Sequence, residues 1–256
     1  MGLRDLFELG GKVALVTGGS RGLGLQIAKG LGEMGAKIAI SARKPAELEE
    51  AKADLKKHGI DALTVTHDLS KLDQVPALVD AVVQQFGAIN ILVNNAGASW
   101  GAKAEDHPLE AWNKVMTLNA SSVFALSQAV AKRCFIPQRS GNIIVIASTA
   151  ALRAGMQLKA VAYYSSKAAA LHLTRALAGE WGQYNIRVNA ICPGFFPSKM
   201  ASGMLDTVMT DVIARTPLGR IGGDTDLQGA AVYLASDASR HVTGQYIAVD
   251  GGASST

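Results

Sequence analysis

Thr17-Gly18-Gly19-Ser20-Arg21-Gly22-Leu23-Gly24 follows an apolar run, Val13-Ala14-Leu15-Val16, and opens a helical pattern, Leu25-Gln26-Ile27-Ala28-Lys29-Gly30-Leu31. A buried strand, a glycine turn and a helix start, in that order, make an anion site. The first N–H groups of a helix have no partner inside it, and the helix dipole favours negative charge at that end. Gly18, Gly22 and Gly24 let the backbone approach a pyrophosphate, with Ser20, Arg21 and Leu23 completing the turn. The spacing Gly-x-x-x-Gly-x-Gly is neither the common G-x-G-x-x-G fingerprint nor a P-loop, since no Gly-Lys-Ser/Thr follows. Alone, the run also fits an ordinary Gly-rich turn; the motifs below decide against that.

Working outward, short β-branched runs alternate with longer helical patterns. The pattern predicts strands over Val13–Thr17, Lys37–Ser41, Ala62–Thr66, Ile89–Asn94, Asn142–Ala147, Ile186–Ile191 and Tyr246–Val249. Continuous apolar runs such as Ile143-Ile144-Val145-Ile146 indicate parallel strands buried on both faces. Alternating β and α units predict an α/β fold: a doubly wound, Rossmann-type, seven-stranded parallel sheet with helices on both faces. No repeat or linker divides the chain, so one domain over residues 1–256 is expected.

Composition sets the outer limits. Of 256 residues, 48% are hydrophobic and 18% charged, and the formal net charge is +4. Basic residues interleave with acidic ones (Glu47, Glu49 and Glu50 beside Lys52, Lys56 and Lys57), and aromatics are only 5%, which argues against nucleic acid as a partner. Cys134 and Cys192 lie far apart in apolar surroundings without metal-ligand spacing, and read as reduced packing residues of a cytoplasmic protein. The first residues, Met1 to Glu8, carry acids and lack a signal-peptide core, Leu6 stands where N-myristoylation needs Ser or Thr, and no apolar run reaches transmembrane length.

The second strand bears on the ligand. In such folds an acid about 20 residues past the glycines binds the ribose 2′-OH of NAD, whereas an Arg suits the 2′-phosphate of NADP. The strand ends Ile40-Ser41-Ala42-Arg43-Lys44, with Ala42 where an acid would stand and Glu47 already in the next helix. Arg43 and Arg21, with no carboxylate beside them, point to NADP(H).

Tyr163-Tyr164-Ser165-Ser166-Lys167 opens an Ala-rich helix, and positions i and i+4 share a helix face. Tyrosine is a poor acid at neutral pH, with a pKa near 10. A positive charge at ~4 Å contributes on the order of 4 kcal/mol at an effective dielectric of 20. That equals roughly three pKa units, enough to bring the Tyr163 phenol close to working pH. Ser148 follows the fifth strand, and Asn94-Asn95-Ala96-Gly97 ends the fourth; both sit at the carboxyl edge, where open α/β sheets bind ligands. Asn119 lies inside a helical pattern, where Asn is mildly unfavourable, and is a candidate to hold a water. Pro193-Gly194 closes the sixth strand.

Over nearly its whole length the chain resembles the short-chain dehydrogenase/reductase family. Thr17-Gly18 through Gly24 resembles the family's cofactor turn, Asp68-Leu69 its adenine-contacting pair, and Asn94-Asn95-Ala96-Gly97 its sheet-stabilising motif. Asn119, Ser148, Tyr163 and Lys167 match its catalytic tetrad, and Pro193-Gly194 with Ser198 its Pro-Gly-x-x-x-Thr, Ser replacing Thr at the nicotinamide amide. The segments 95–101 and 193–200, with Phe196 and Met200 as further cofactor contacts, are most similar to NADP-dependent 3-oxoacyl reductases of the rhamnolipid-pathway type. The resemblance implies hydride transfer between a nicotinamide and a carbonyl carbon. Tyr163 would donate the proton, Ser148 would polarise the oxygen, Lys167 would lower the Tyr163 pKa and hold the ribose, and Asn119 would anchor a water. It calls for no metal and implies a homotetramer built on helices around Trp112–Phe135 and Ala160–Gly182, with the C-terminal segment near another interface.

Two departures from the family pattern stand out. The segment Arg153 to Ala162 is longer than usual, and of two basic positions for docking an acidic acyl carrier only Arg139 is present, with Tyr184 at the other. Residues 195–216 are expected to form a substrate lid; Phe195, Phe196, Met200, Met204, Leu205 and Met209, together with Trp100, point to a fairly apolar substrate. The reading is an NADPH-dependent ketoreductase. The alternatives are a 3-oxoacyl-carrier-protein reductase, a gluconate-type sugar or polyol dehydrogenase, and a non-catalytic NADP(H)-binding redox sensor.

Overall fold

The first strand, β1 (Val13–Thr17), is buried at all five positions because both its faces are covered. The computed structural model of the chain describes residues 2–154, 159–197 and 210–255. Six more strands follow: β2 (Lys37–Ala42), β3 (Leu63–Thr66), β4 (Ile91–Asn94), β5 (Gly141–Ile146), β6 (Ile186–Pro193) and β7 (Tyr246–Val249). They form one sheet in the order β3-β2-β1-β4-β5-β6-β7, and every pairing is parallel. The predicted fold class is the observed one, with strand ends displaced by one or two residues.

The intervening helices are α1 (Gly22–Glu33), α2 (Pro45–Lys57), α3 (Val75–Phe86), α4 (Leu109–Met116), α5 (Ser122–Val130), α6 (Ile136–Gln138), α7 (Val161–Trp181) and α8 (Gln228–Ala235). Strand alternation divides the core in two. Leu15, Leu92, Ile143 and Val145 pack with Leu78, Leu126 and Leu171 on the α3, α5 and α7 side. Val16, Val93, Ile144 and Ile146 pack with Ile27, Leu48 and Leu234 on the α1, α2 and α8 side.

Strand order reverses between β1 and β4, which opens a crevice at their carboxyl ends. Helices α4, α5 and α6 run on as one rod through two π-helical turns, Thr117–Ser121 and Ala131–Phe135. Such turns interrupt the ordinary ladder and concentrate at functional positions. Among the described residues no helix is long and apolar enough to cross a membrane.

Candidate active site

The glycine turn lies at the strand-order reversal. Gly18 has φ +62, and a Cβ there would stand 2.9 Å from Asn95 Nδ2 and 3.1 Å from Ala96 Cα. A Cβ on Gly24 would overlap the Gly18 carbonyl. On the outer side, a Cβ at Gly22 would meet nothing within 4 Å. Helix α1 starts there with no side-chain cap from Arg21 and no acid in its first turn, so its positive end is left to a ligand. A turn packed tight against the sheet and open outward, with a bare helix N-terminus, fits a dinucleotide pyrophosphate. Ser20 is buried within it, and Leu23 packs toward the core.

The hydroxyl of Thr17 stitches this turn to the next strand. It accepts from the N–H groups of Asn95 (3.0 Å) and Ala96 (3.1 Å) and donates to Val93 O. Asn95 Nδ2 donates in return to Thr17 O (2.8 Å) and Gly18 O (3.1 Å). The preceding Asn94 ties β4 to α5 through Ser127 Oγ (3.0 Å). Gly97 faces Asn119 and Lys167: a Cβ there would lie 3.2 Å from Asn119 Oδ1 and 3.6 Å from Lys167 Nζ.

At the other end of the crevice Arg43 is exposed, beyond the last strand residue Ala42. The two-cation picture needs a correction here. Glu47, though helical, reaches back to Arg21 (2.9 Å) and Lys44 (3.3 Å), so a carboxylate does stand in this region. Burial favours the neutral form of Asp68, yet hydrogen bonds from Ser70 and the nearby Arg43 charge hold its carboxyl below the usual range. Leu69 is buried in the core, which leaves its backbone for any ligand contact.

The four predicted reactive residues come together at the carboxyl ends of β4 and β5. Ser148 follows β5; its Oγ accepts from Ala150 N (3.1 Å) and lies close enough to the Tyr163 phenol to favour its ionised form. Asn119 sits in the first π turn, where its amide pairs reciprocally with Ala98 N and O (2.8 Å each). Its Nδ2 also donates to Ser166 Oγ (2.9 Å), and Ser166 donates to Tyr163 O (2.9 Å). Lys167, only 5% exposed, donates from Nζ to Ile146 O (2.7 Å).

Lys167 and Tyr163 share the face of α7 that the i,i+4 spacing predicts. Nζ is 5.8 Å from the centre of the Tyr163 ring. Burial, the largest influence on the phenol, pushes its pKa up, and the nearby Ser148 hydroxyl offsets part of this. Burial likewise lowers Lys167 to about 8. Cys192 is fully buried, and burial pushes its thiol up to about 11 although the Ser148 backbone N–H nearby favours the thiolate.

Pro193 ends β6, and Gly194 N donates to Val249 O (3.0 Å), where a Cβ would stand 2.8 Å from Asp250 Cβ. Phe196, expected at the cofactor, is 6% exposed and packs on the α1 and α8 side against Gly222. Gly222 offers its ring a seat without a side chain, which leaves the Phe196 backbone facing the end of β6. Ser198, Met200 and most of the expected lid, including Met204, Leu205 and Met209, lie outside the described residues, as do positions 155–158 of the lengthened segment. Trp100 is 44% exposed at the mouth, where a bridge between Ala102 and Ala160 joins the two loops flanking the site. Ser166 and Cys192 were missed as site-supporting residues; the only signal in the sequence was their adjacency to Lys167 and Pro193.

A family profile described as Enoyl-(Acyl carrier protein) reductase matches residues 18–254. The chain belongs to the short-chain dehydrogenase/reductase family. It is 38% identical to a gluconate 5-dehydrogenase from Gluconobacter oxydans, over 97% of this chain and 96% of that one. It is 39% identical to a rhamnolipids biosynthesis 3-oxoacyl-[acyl-carrier-protein] reductase from Pseudomonas aeruginosa, over 98% and 99% of the two chains. A gluconate 5-dehydrogenase from Burkholderia cenocepacia, solved with NADP and tartrate, superposes with TM-score 0.93 at 35% identity, covering 100% of both chains. As a member of this dehydrogenase/reductase family the chain is an oxidoreductase of carbonyl and alcohol groups.

Proposed function

We propose that this short-chain dehydrogenase/reductase uses NADP(H) to reduce a ketone or 3-oxoacyl group reversibly to a secondary alcohol. The observation that carries the reading is the juxtaposition of the Ser148 and Tyr163 hydroxyls with the buried Lys167 at the carboxyl edge of the sheet. Bound in the crevice, NADP(H) would supply the hydride; the glycine turn would hold its pyrophosphate and Arg43 and Arg21 its 2′-phosphate, and the NADP complex of the related Burkholderia cenocepacia protein supports this choice of cofactor. Ser148 and Tyr163 hydrogen-bond the substrate oxygen. Because burial raises the phenol's pKa, Tyr163 holds its proton at neutral pH and releases it only as the oxygen becomes basic. Lys167, mostly protonated below about 8, places a positive charge near that oxygen and toward the ribose. Asn119, through Ser166, fixes the first turn of α7 and holds a water for proton exchange.

Similarity to gluconate 5-dehydrogenases favours a second reading, a polyol or sugar-acid substrate. Arg139 donates to Gln183 O beside Tyr184, which argues against a strong acyl-carrier dock there. We take the enzyme to be a single-domain cytoplasmic homotetramer, with residues 195–216 as its lid. Phe124, 43% exposed, borders an apolar groove of about 250 Å³ with Ile136, Leu173 and Trp181, a surface suited to self-association. Oxidation of NADPH, read by absorbance with simple ketones, 3-oxoacyl thioesters and keto-sugar acids, tests the reading. Turnover of ketones or 3-oxoacyl thioesters supports it, turnover of sugar acids alone selects the second reading, and no turnover with any class contradicts both.

A further inference from the structure

Gln26 is a polar side chain on the buried face of α1, 9% exposed beside the core residues Ile27 and Leu31. Burying an amide is unfavourable unless its polar ends are hydrogen-bonded. Both ends are, and the partners lie 197 and 201 residues further along the chain: Nε2 donates to Gly223 O (3.0 Å) and Oε1 accepts from Leu227 N (2.8 Å). Leu227 is the residue before α8, a helix start that receives no side-chain cap of its own. Close packing holds the same two helices together one turn further on, where a Cβ at Gly30 would lie 2.9 Å from Gln228 Cβ. An apolar side chain at position 26 would serve the packing of this face. What the amide adds is a fixed tie between α1 and the main chain of residues 223–227.

That stretch is bound to the chain leaving β6. Gly222 N donates to Phe195 O (2.9 Å), and the Phe196 ring lies where a Cβ on Gly222 would stand. Gly223 N donates to Asp226 Oδ2 (2.7 Å), and Asp226 Oδ1 accepts from Arg220 Nη2 (3.1 Å). Just beyond Thr216, Leu218 N donates to Gly251 O (3.0 Å). The chain leaving at Phe195 and the chain returning at 218–227 are therefore cross-tied. Gln26 fastens that tie to α1, about one turn from the helix start at Gly22 and so from the turn that fits the pyrophosphate.

We infer that Gln26, though it stands on the cofactor helix, is a positioning residue for the carbonyl substrate: through Gly223 and Leu227 it fixes where the segment 195–216 leaves and rejoins the sheet edge. The inference rests on the reading that places this segment over the substrate. Two variants test it. Gln26→Met keeps the length of the side chain and loses both bonds. Gln26→Glu keeps the acceptor for Leu227 N and, when protonated, a donor for Gly223 O. At saturating NADPH, kinetics use the best wild-type substrate among ethyl acetoacetate, acetoacetyl-coenzyme A and 5-keto-D-gluconate. Gln26→Met should raise KM for that carbonyl about tenfold, with kcat and the NADPH Kd each changed by less than about threefold. Gln26→Glu should recover most of that loss at about pH 6, because burial and the facing carbonyl favour the neutral acid. Hydrogen exchange on the NADPH-bound protein gives a readout that needs no turnover: in Gln26→Met it should quicken at Gly222 as well as at Leu227. An unchanged carbonyl KM, an NADPH affinity that falls in step with it, a Gln26→Glu as impaired as Gln26→Met at about pH 6, or faster exchange confined to Leu227 overturns the inference. A wild type that reduces none of the three carbonyls contradicts the proposed function instead, and the exchange at Gly222 then decides the inference alone.

Discussion

Lys167 carries its charge in an enclosed place, and that has a measurable consequence. Its pKa of about 8 in the folded chain lies below the ordinary 10.5. Between those values the unfolded chain binds more protons, so this residue makes stability rise with pH across that window. Lys167→Met removes the effect. The melting temperature of the wild type minus that of Lys167→Met should therefore increase from about pH 8 to about pH 10; scanning fluorimetry showing a constant difference would contradict the burial of the ammonium. Glu47 gives a second prediction. It neutralises Arg21 at 2.9 Å, and an exposed pair of this kind is worth ~0–1 kcal/mol. Glu47→Gln should raise NADPH affinity by up to about fivefold at low salt, and Ala42→Asp with Arg43→Ile should turn the preference toward NADH. Fluorescence titration of both cofactors reads both effects; unchanged affinity in Glu47→Gln, or unchanged preference in the pair, argues against this assignment of the adenosine end.

At the scale of elements, the strands and the glycine turn were legible in the sequence because each is a local pattern. Parallel strands buried on both faces read as unbroken apolar runs, as Ile143 to Ile146 do. What was not legible depends on partners far along the chain. The Thr17 hydroxyl meets Asn95 and Ala96 across the strand reversal, and Ser166 meets Asn119 across two helices. The π turn at Thr117–Ser121 left no compositional mark, since it is an extra residue in a hydrogen-bond ladder and not a residue preference. An i,i+4 spacing put Lys167 and Tyr163 on one face but could not foresee that Nζ would donate to Ile146 O. The packing of the Phe196 ring on Gly222 was not legible either, since no local pattern connects the two. The glycine turn has its own test. In Gly24→Ala the new methyl overlaps the Gly18 carbonyl, and overpacking of this kind costs ~1–3 kcal/mol. NADPH affinity should fall about tenfold or more; a variant that binds as well as the wild type would show that the turn is not packed as described.

At the scale of the whole molecule, the carboxyl edge of the sheet gathers Asn119, Ser148, Tyr163 and Lys167, while an apolar groove lies on the outer side of the flanking helices. The groove beside Phe124 and Trp181 lies between α5 and α7, the helix that also carries Tyr163 and Lys167, so self-association there would brace the reactive helix. Light scattering should give a tetramer at micromolar concentration, and Leu173→Asp should dissociate it and lower turnover; a monomeric wild type would remove the assembly from the account. The central claim is that Tyr163, oriented by Ser148 and supported by Lys167, is the group that passes a proton to the substrate oxygen. Steady-state reduction of one accepted ketone by Tyr163→Phe, Tyr164→Phe and Ser148→Ala tests it most directly, with NADPH binding measured alongside. Tyr163→Phe should lose turnover yet still bind NADPH, Ser148→Ala should lose roughly 10²–10³-fold, and Tyr164→Phe should remain active, since it faces about 100° away on the same helix. An active Tyr163→Phe beside an inactive Tyr164→Phe would contradict the account.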